Sequence, residues 1–350
     1  MLISSVSPAD VIGRNMLWQR KEYQLRPQKK TIQNNTVEFD LSYDFFVPGE
    51  TFRIRFIVVL PQTIPGRQKI LSIKCSPKPS RFFRENGNRY AEFVFVKPDK
   101  RMKVEISIKA ELLRYDLLIA REKREQDLFE GPDLEDFLKQ EKYIEKDHPQ
   151  IQQIAEGIKG QIEEDIVKNI YNYVIDNLEY TLHGKKDWGA VKALQQQKGD
   201  CSEYSDLFVA ICRAKNIPAR VVTGYTVRFD DISPSPSVHS EGLGSSRPVF
   251  AARHPADDGR DSSKHNWVEV YLQKYGWIPF DPSRGDVENI IFRDRAFGRM
   301  NPVYIYLTNI RNDEVLDNYH FARYTYWGDR TRLTDSIEFK QPSLPFQKTH

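Results

Sequence analysis

A chain of 350 residues is long enough for about two domains, and with 39% hydrophobic and 29% charged residues it reads as a soluble globular protein, not a disordered one. Its net charge of +3, from 52 basic and 49 acidic residues, is too small to imply a nucleic-acid partner. No apolar run approaches the roughly 20 residues that span a bilayer, and the opening MLISSVSPADVIGRNMLWQRKEY has no secretory pattern, so the expectation is a cytoplasmic protein without a membrane span.

In chain order, residues 1–36 read as a basic, irregular arm. Residues 37–115 change to strands: TVEFDLSYDFFV alternates at Val37, Phe39, Leu41, Tyr43 and Phe45, and TFRIRFIVVL at Phe52, Ile54 and Phe56. KILSIK, YAEFVFV and MKVEISIKAEL follow, with turns at PGE, IPGR and ENGN. Short strands at regular spacing predict a β-sandwich. A charged connector is expected over 116–147.

A second domain is expected over 148–335, with a C-terminal tail at 336–350. Asp147-His148-Pro149 reads as a helix start with Asp147 as cap. Ile151, Ile154 and Ile158 repeat at helical spacing, and Gly157 and Gly160 interrupt. A second helical face runs from Ile162 through Ile166, Ile170 and Val174 to Leu178. Ser202 to Asn216 is a helix with Leu207, Phe208 and Ile211 on one face, stopped by Pro218. ARVVTGYTV is a strand, and residues 230–263 are a long loop rich in Ser, Pro, Gly and Asp, expected to gate a cleft. HNWVEVYLQKYGWIPFD is a hairpin around Tyr275-Gly276, and strands follow at 302–308 and 320–327.

The three cysteines, Cys75, Cys201 and Cys212, form no CxxC, so neither a disulfide framework nor a cysteine-built zinc site is supported. Free thiols fit a reducing compartment. Cys201 stands at a helix N-terminus, where the dipole and free N–H groups favour a thiolate. It reads as a nucleophile, a metal ligand or a small core residue; Cys75 and Cys212 read as structural. Downstream, His265 opens a strand and Asp281 closes the next, and a Cys–His–Asp set lets the imidazole take the thiol proton while the carboxylate fixes its tautomer. His265, Trp267, Glu269 and Tyr271 share one face of their strand. A tight turn pairing Leu272 with Trp277 sets Asp281 opposite Val268, three residues past His265. That register needs a bulge, a longer loop or strand twist if the two are to meet; failing that, Glu269 or Asp286 becomes the carboxylate. Trp188 reads as packing, and His183, His239, His254 and His320 as surface or loop residues.

GDCSEYSDLFVAICRAKNIPARVVTGY followed by HNWVEVYL and GWIPFDPS resembles the transglutaminase-like superfamily, a papain-related fold of cysteine enzymes. The resemblance implies an α+β catalytic domain behind the β-sandwich, with Cys201 as nucleophile, His265 as base and Asp281 as the orienting acid. DFLKQEKYIEKDHPQIQQIAEGI and ENGNRYAEFVF are similar to the corresponding parts of bacterial members. His265 lies 64 positions after Cys201, a longer gap than the family pattern implies, because of the 230–263 loop.

An oxyanion donor is needed as well. The Cys201 backbone N–H is one candidate. By resemblance to larger transglutaminases, where an indole donor follows the helix upstream of the nucleophile, Tyr180 is another, and Gln195 invites comparison with the papain glutamine. The resemblance implies a protein or peptide substrate and no cofactor; with no EF-hand or dense acidic loop, calcium independence is expected. Hydrolysis of peptide or amide bonds, transglutaminase transfer of glutaminyl acyl groups to amines, and a non-catalytic scaffold are the competing functions. The intact Cys201, His265 and Asp281 argue against the scaffold. De-N-glycosylation lacks the paired zinc-binding cysteines it would need.

Overall fold

A computed structural model describes residues 34–122, 134–183, 187–227 and 263–340. The expected arm up to residue 33, the loop at 230–262 with His239 and His254, part of the connector and the last ten residues lie outside these.

Six strands come first: β1 (Asn34–Phe46), β2 (Thr51–Leu60), β3 (Gln68–Ser76), β4 (Arg81–Glu85), β5 (Asn88–Val96) and β6 (Arg101–Leu113). The alternation read from the sequence governs β1, where Val37, Phe39, Leu41, Tyr43 and Phe45 are buried. They meet β6 antiparallel, with Phe39 opposite Ile108 and Leu41 opposite Ile106. In β2 the expectation fails at Phe52, which is 64% exposed. Further along, Ile57 to Leu60 are all buried.

The chain continues through β7 (Tyr115–Asp116) and α1 (Leu117–Glu122) to α2 (Pro149–Gly157), α3 (Glu163–Asn177), β8 (Glu179–Tyr180), α4 (Ala190–Gln196), β9 (Lys198–Gly199) and α5 (Cys201–Ala214). α2 is capped by His148, not Asp147: the imidazole Nδ1 accepts from Gln150 N–H at 3.3 Å, with Pro149 in the first turn. Then come β10 (Ala219–Thr226), β11 (Lys264–Leu272), β12 (Gly276–Phe280), α6 (Pro282–Gly285), α7 (Ile290–Ala296), β13 (Arg299–Met300), β14 (Tyr304–Thr308), β15 (Ala322–Gly328) and β16 (Arg332–Lys340).

The sandwich is two antiparallel sheets, β16-β1-β6-β3 and β15-β2-β5-β4. Phe45 and Tyr43 of one sheet pack against Phe56 of the other at ring distances of 5.3 and 4.8 Å. Two of its strands, β15 and β16, come from the C-terminus. The expected boundary at 335/336 therefore falls inside β16, and residues 322–340 belong with the sandwich rather than with the second domain or a tail. Strand pairing over some 300 residues of chain leaves no local mark in the sequence.

The second domain is α+β: an antiparallel sheet β12-β11-β10-β14 with α5 packed on β11 and β10, and α2, α3 and α4 around α5. α5 is not a one-faced helix. Every residue from Ser202 to Arg213 is buried, which forces its polar side chains into pairs. Asp206 takes Arg311 through both oxygens (2.7 and 2.8 Å), Arg311 also holds Asp187 (2.8 Å), and Asp187 accepts from His320 (2.9 Å). His320 is thus a network member, not a free loop residue. Burial pushes the Asp206 carboxyl up to about 7 in spite of Arg311.

The two domains share core. Val222, Tyr225 and Trp267 of the second domain's sheet pack in the cluster built by the sandwich. Gln68 of β3 mimics a strand partner for β14, donating to Tyr306 O (2.8 Å) and accepting from Tyr306 N (2.9 Å).

Candidate active site

The site starts at the turn into α5. Asp200 caps the helix by accepting from Ser202 N–H at 2.8 Å, and Glu203 reaches back to Asp200 N–H at 3.1 Å, a reciprocal capping box. Gly199 is required there, because a Cβ would fall 2.3 Å from that of Glu203. Cys201 is the first helical residue and half-buried. Its backbone N–H belongs to the first turn, which has no partners within the helix.

β11 brings His265 beside this turn. Asn266, the next residue, donates its side-chain amide to Ser202 Oγ (2.9 Å) and accepts from Thr223 Oγ1 (2.7 Å), while its backbone N–H favours the Cys201 thiolate. His265 is buried, and its Nε2 lies 2.7 Å from Asp281 Oδ2. The hairpin register explains how they meet. Leu272 pairs with Gly276, not Trp277, and Val268 with Phe280. Gly276 at φ +72° closes the turn one residue earlier than expected. Continuing that register sets Asp281 level with Trp267, on the same face as His265. A one-residue change moves a whole set of side chains across a sheet.

Asp281 is buried, and each of its oxygens is engaged. Oδ2 accepts from His265 and from Tyr304 O–H (2.8 Å); Oδ1 accepts from Ser283 Oγ (2.9 Å) and Arg284 N–H (3.0 Å). Burial alone would raise its carboxyl, but His265, first by charge and then by hydrogen bond, and Arg284 after it, hold it well below the usual carboxylate range.

The thiol goes the other way from the expectation. Burial and the negative charge of Asp200 raise Cys201 well above an ordinary thiol, with Asp281 and Glu203 adding to the effect, and the Asn266 N–H offsets only part of it. Three carboxylates, Asp200, Glu203 and Asp281, oppose a thiolate at this turn. Cys75, half-buried in β3, and Cys212, buried in α5, are raised by burial as well.

Tyr180 ends β8, where it pairs with Gly199 and its ring lies 6.0 Å from that of Tyr204. Burial, then the charges of Cys201 and Asp200, push its phenol up, so it stays protonated and can donate. Gln195 is exposed on α4. Glu269 is buried between Arg220 (2.6 Å) and Arg67 (3.3 Å), and Asp286 lies 2.7 Å from the Tyr204 hydroxyl, so the structure pairs neither with His265. His183 is not a surface residue: its Nε2 lies 2.6 Å from Glu203, and its ring stacks on Trp188 at 3.8 Å.

Among the described residues, His183, Asp200 and Glu203 form a group whose donor atoms lie within 4.8 Å of one another. Glu203 and Asp200 already serve the helix cap there, and the group includes none of Cys201, His265 or Asp281.

Four residues of the site went unread in the sequence: Asn266, Ser283, Arg284 and Tyr304. Asn266 sits inside the His–x–Trp motif and could have been singled out. Tyr304 looks like any strand aromatic.

Residues 152–282 match the family model of the transglutaminase-like superfamily. Uncharacterized protein YebA of Bacillus subtilis is 24% identical over 124 residues, 35% of this chain and 14% of that protein. An uncharacterized protein of Haemophilus influenzae is 25% identical over 162 residues, 45% of this chain and 42% of that one. The chain thus spans less than half the length of either relative. A Cytophaga hutchinsonii crystal structure described as a "Putative Cysteine Protease" superposes with a TM-score of 0.55 at 20% identity, covering 90% of this chain and 94% of that one. Residues 152–282 form a transglutaminase-like domain, and a transglutaminase-like α+β fold behind a β-sandwich is the architecture of the chain. No helix among the described residues is long and apolar enough to cross a membrane.

Proposed function

We propose that this protein is a thiol-dependent acyl-transfer enzyme that hydrolyses peptide or amide bonds through a thioester on Cys201. The observation that carries the reading is the 2.7 Å contact between His265 Nε2 and a fully engaged, buried Asp281, with the next residue, Asn266, tied to the Cys201 turn through Ser202 Oγ at 2.9 Å. Asp281 holds the proton on Nε2, so Nδ1 is the acceptor left for the thiol proton. The raised thiol fits a resting Cys–SH that is deprotonated as it attacks. Sulfur adds to the carbonyl carbon, and the oxygen takes the negative charge. The Cys201 N–H and the Tyr180 hydroxyl are the donors suited to it. The amine leaves with the proton from His265. Water then attacks the thioester, giving its proton to His265, and the acid and free thiol are released.

Transamidation uses the same three residues, with an amine in place of water. The test is to screen glutamine and amide substrates with and without an added primary amine, on the wild type and on Cys201→Ala. Acid product without amine dependence, absent in Cys201→Ala, supports hydrolysis. Product formed only with amine makes the protein a transglutaminase. Product formed equally by Cys201→Ala overturns the thioester route.

A further inference from the structure

Three partners of the Asp281 carboxylate lie beyond the segment matched to the family, Ser283, Arg284 and Tyr304, and the last two bear on the oxygen that meets His265. Tyr304, on β14, donates to the same Oδ2 that receives His265. Arg284, on α6, sets its guanidinium against the Tyr304 ring, with Cζ 5.2 Å from the ring centre. Its Nη2 is anchored on Thr226 Oγ1 of β10 at 2.8 Å, and its Nε is 3.9 Å from Asp281 Oδ2. The result is a chain of contacts from guanidinium to phenol to carboxylate to imidazole. Tyr304 also packs on the residue beside the dyad, its ring 5.2 Å from Trp267 at 72° and 6.2 Å from His265.

We propose that Tyr304 and Arg284 are positioning residues of this centre: Tyr304 fixes the Asp281 oxygen that orients His265, and Arg284 fixes and polarises the Tyr304 hydroxyl. The inference rests on the acyl-transfer reading above. The physical argument is one of basicity and aim. A carboxylate oxygen with a single imidazole donor is free to rotate and to draw the proton off Nε2. With a second O–H donor and a cation behind it, the oxygen is held in one place and is a weaker base, so the proton stays on the ring. The groups that face Asp281 are His265 from β11, Tyr304 from β14, Arg284 from α6, Tyr171 from α3, Tyr180 from β8 and Cys201 from α5. Arg284 is the cation among them.

The experiment uses the whole chain and 4-nitrophenyl acetate as acyl donor, whose nitrophenolate release reports acylation. kcat and KM are measured against pH for wild type, Tyr304→Phe, Arg284→Ala and Arg284→Lys, with Cys201→Ala and His265→Ala as controls and melting curves as the folding check. Tyr304→Phe keeps the ring and its packing. The expected result is a fall in kcat of about tenfold or more, as for loss of a buried hydrogen bond to a charged group, with KM within about twofold of wild type. The acid limb should move to higher pH, because a carboxylate that loses a donor holds a proton on the neighbouring imidazole more strongly. Arg284→Ala should move the limb the same way, and Arg284→Lys should recover part of the loss. Wild-type kcat and an unmoved acid limb in Tyr304→Phe would overturn the role of Tyr304. Arg284→Lys behaving like Arg284→Ala would overturn that of Arg284. Nitrophenolate release that persists in Cys201→Ala or His265→Ala would instead sink the acyl-transfer reading, and this inference with it.

Discussion

Replacing Asp281 by Asn probes the dyad without emptying the space. Asn offers one acceptor and one donor where Asp281 accepts four hydrogen bonds, from His265, Tyr304, Ser283 and the Arg284 N–H. If the amide oxygen takes the Oδ1 position, the cap of α6 survives and the NH2 faces His265. The ring must then accept at Nε2, which puts its proton on Nδ1, and it can no longer take the thiol proton. If the oxygen takes the Oδ2 position, the NH2 faces the Arg284 N–H, and a buried donor is left unpaired at a cost of about 1–3 kcal/mol. The first arrangement is therefore favoured, and it is the inactive one. Losing the charged hydrogen bond costs about 1.5–3 kcal/mol, or roughly 10- to 150-fold. The wrong tautomer adds to that, and the same change in a serine-protease triad costs about 10⁴. Asp281→Asn should thus lower kcat by about 10²- to 10⁴-fold with its circular dichroism spectrum and melting curve intact. Full nitrophenyl acetate turnover with an unchanged pH profile would refute the role of Asp281.

The thiol should alkylate slowly at neutral pH. Because burial and Asp200 raise it, the rate of Cys201 modification by iodoacetamide, followed by peptide mapping, should climb above pH 9; a maximal rate already at pH 6.5 would mean a preformed thiolate. Asp200→Asn keeps the α5 cap and removes the nearest negative charge, so it should speed labelling at pH 7.5 severalfold. Asp206 has a folded pKa of about 7 against 3.8 as reference, so it holds an extra proton in the fold and its contribution to stability falls as pH rises between those values. Arg311→Met takes away the opposing charge and should cost about 3–5 kcal/mol at pH 8 and less at pH 5, where Asp206 can protonate; equal losses in urea melts at both pH values would contradict this. Gln68→Ala leaves the Tyr306 N–H and C=O without their side-chain partner and should destabilise by about 2–5 kcal/mol. It should also lower turnover at temperatures where the variant is fully folded, because Tyr304 is two residues along the same strand.

What the sequence disclosed was local. The alternation from Val37 to Phe45 needs only one buried face, and the Gly-Asp-Cys helix start needs only five consecutive residues to build its capping box. The hairpin register was not legible, and the reason is specific to β11. Six consecutive residues from His265 to Val270 are buried, because helices cover one face of this sheet and the sandwich core the other. A strand buried on both faces carries no period-two signal to fix its register, so the turn had to decide, and it turns on the left-handed conformation of Gly276. The pull on the thiol was misjudged for a related reason. The helix N-terminus is visible in the sequence, but the carboxylates that oppose it include Asp281, which reaches the same turn only through the fold.

The sandwich is where this non-local logic reaches furthest. Nothing in residues 37–113 carries chemistry, yet Gln68 clamps β14 by its backbone, and β14 carries Tyr304 to Asp281. The C-terminal strands close both sheets, so the chain enters and leaves the catalytic domain from one sandwich. The catalytic sheet is thus held on one face by the nucleophile helix and on the other by a core that begins at Val37. The position of the dyad is set by both. A domain cut out at the family boundaries would lose Tyr304, Arg284 and the cover over Trp267 together, which is why the sandwich is part of the candidate site's architecture and not an appendage to it.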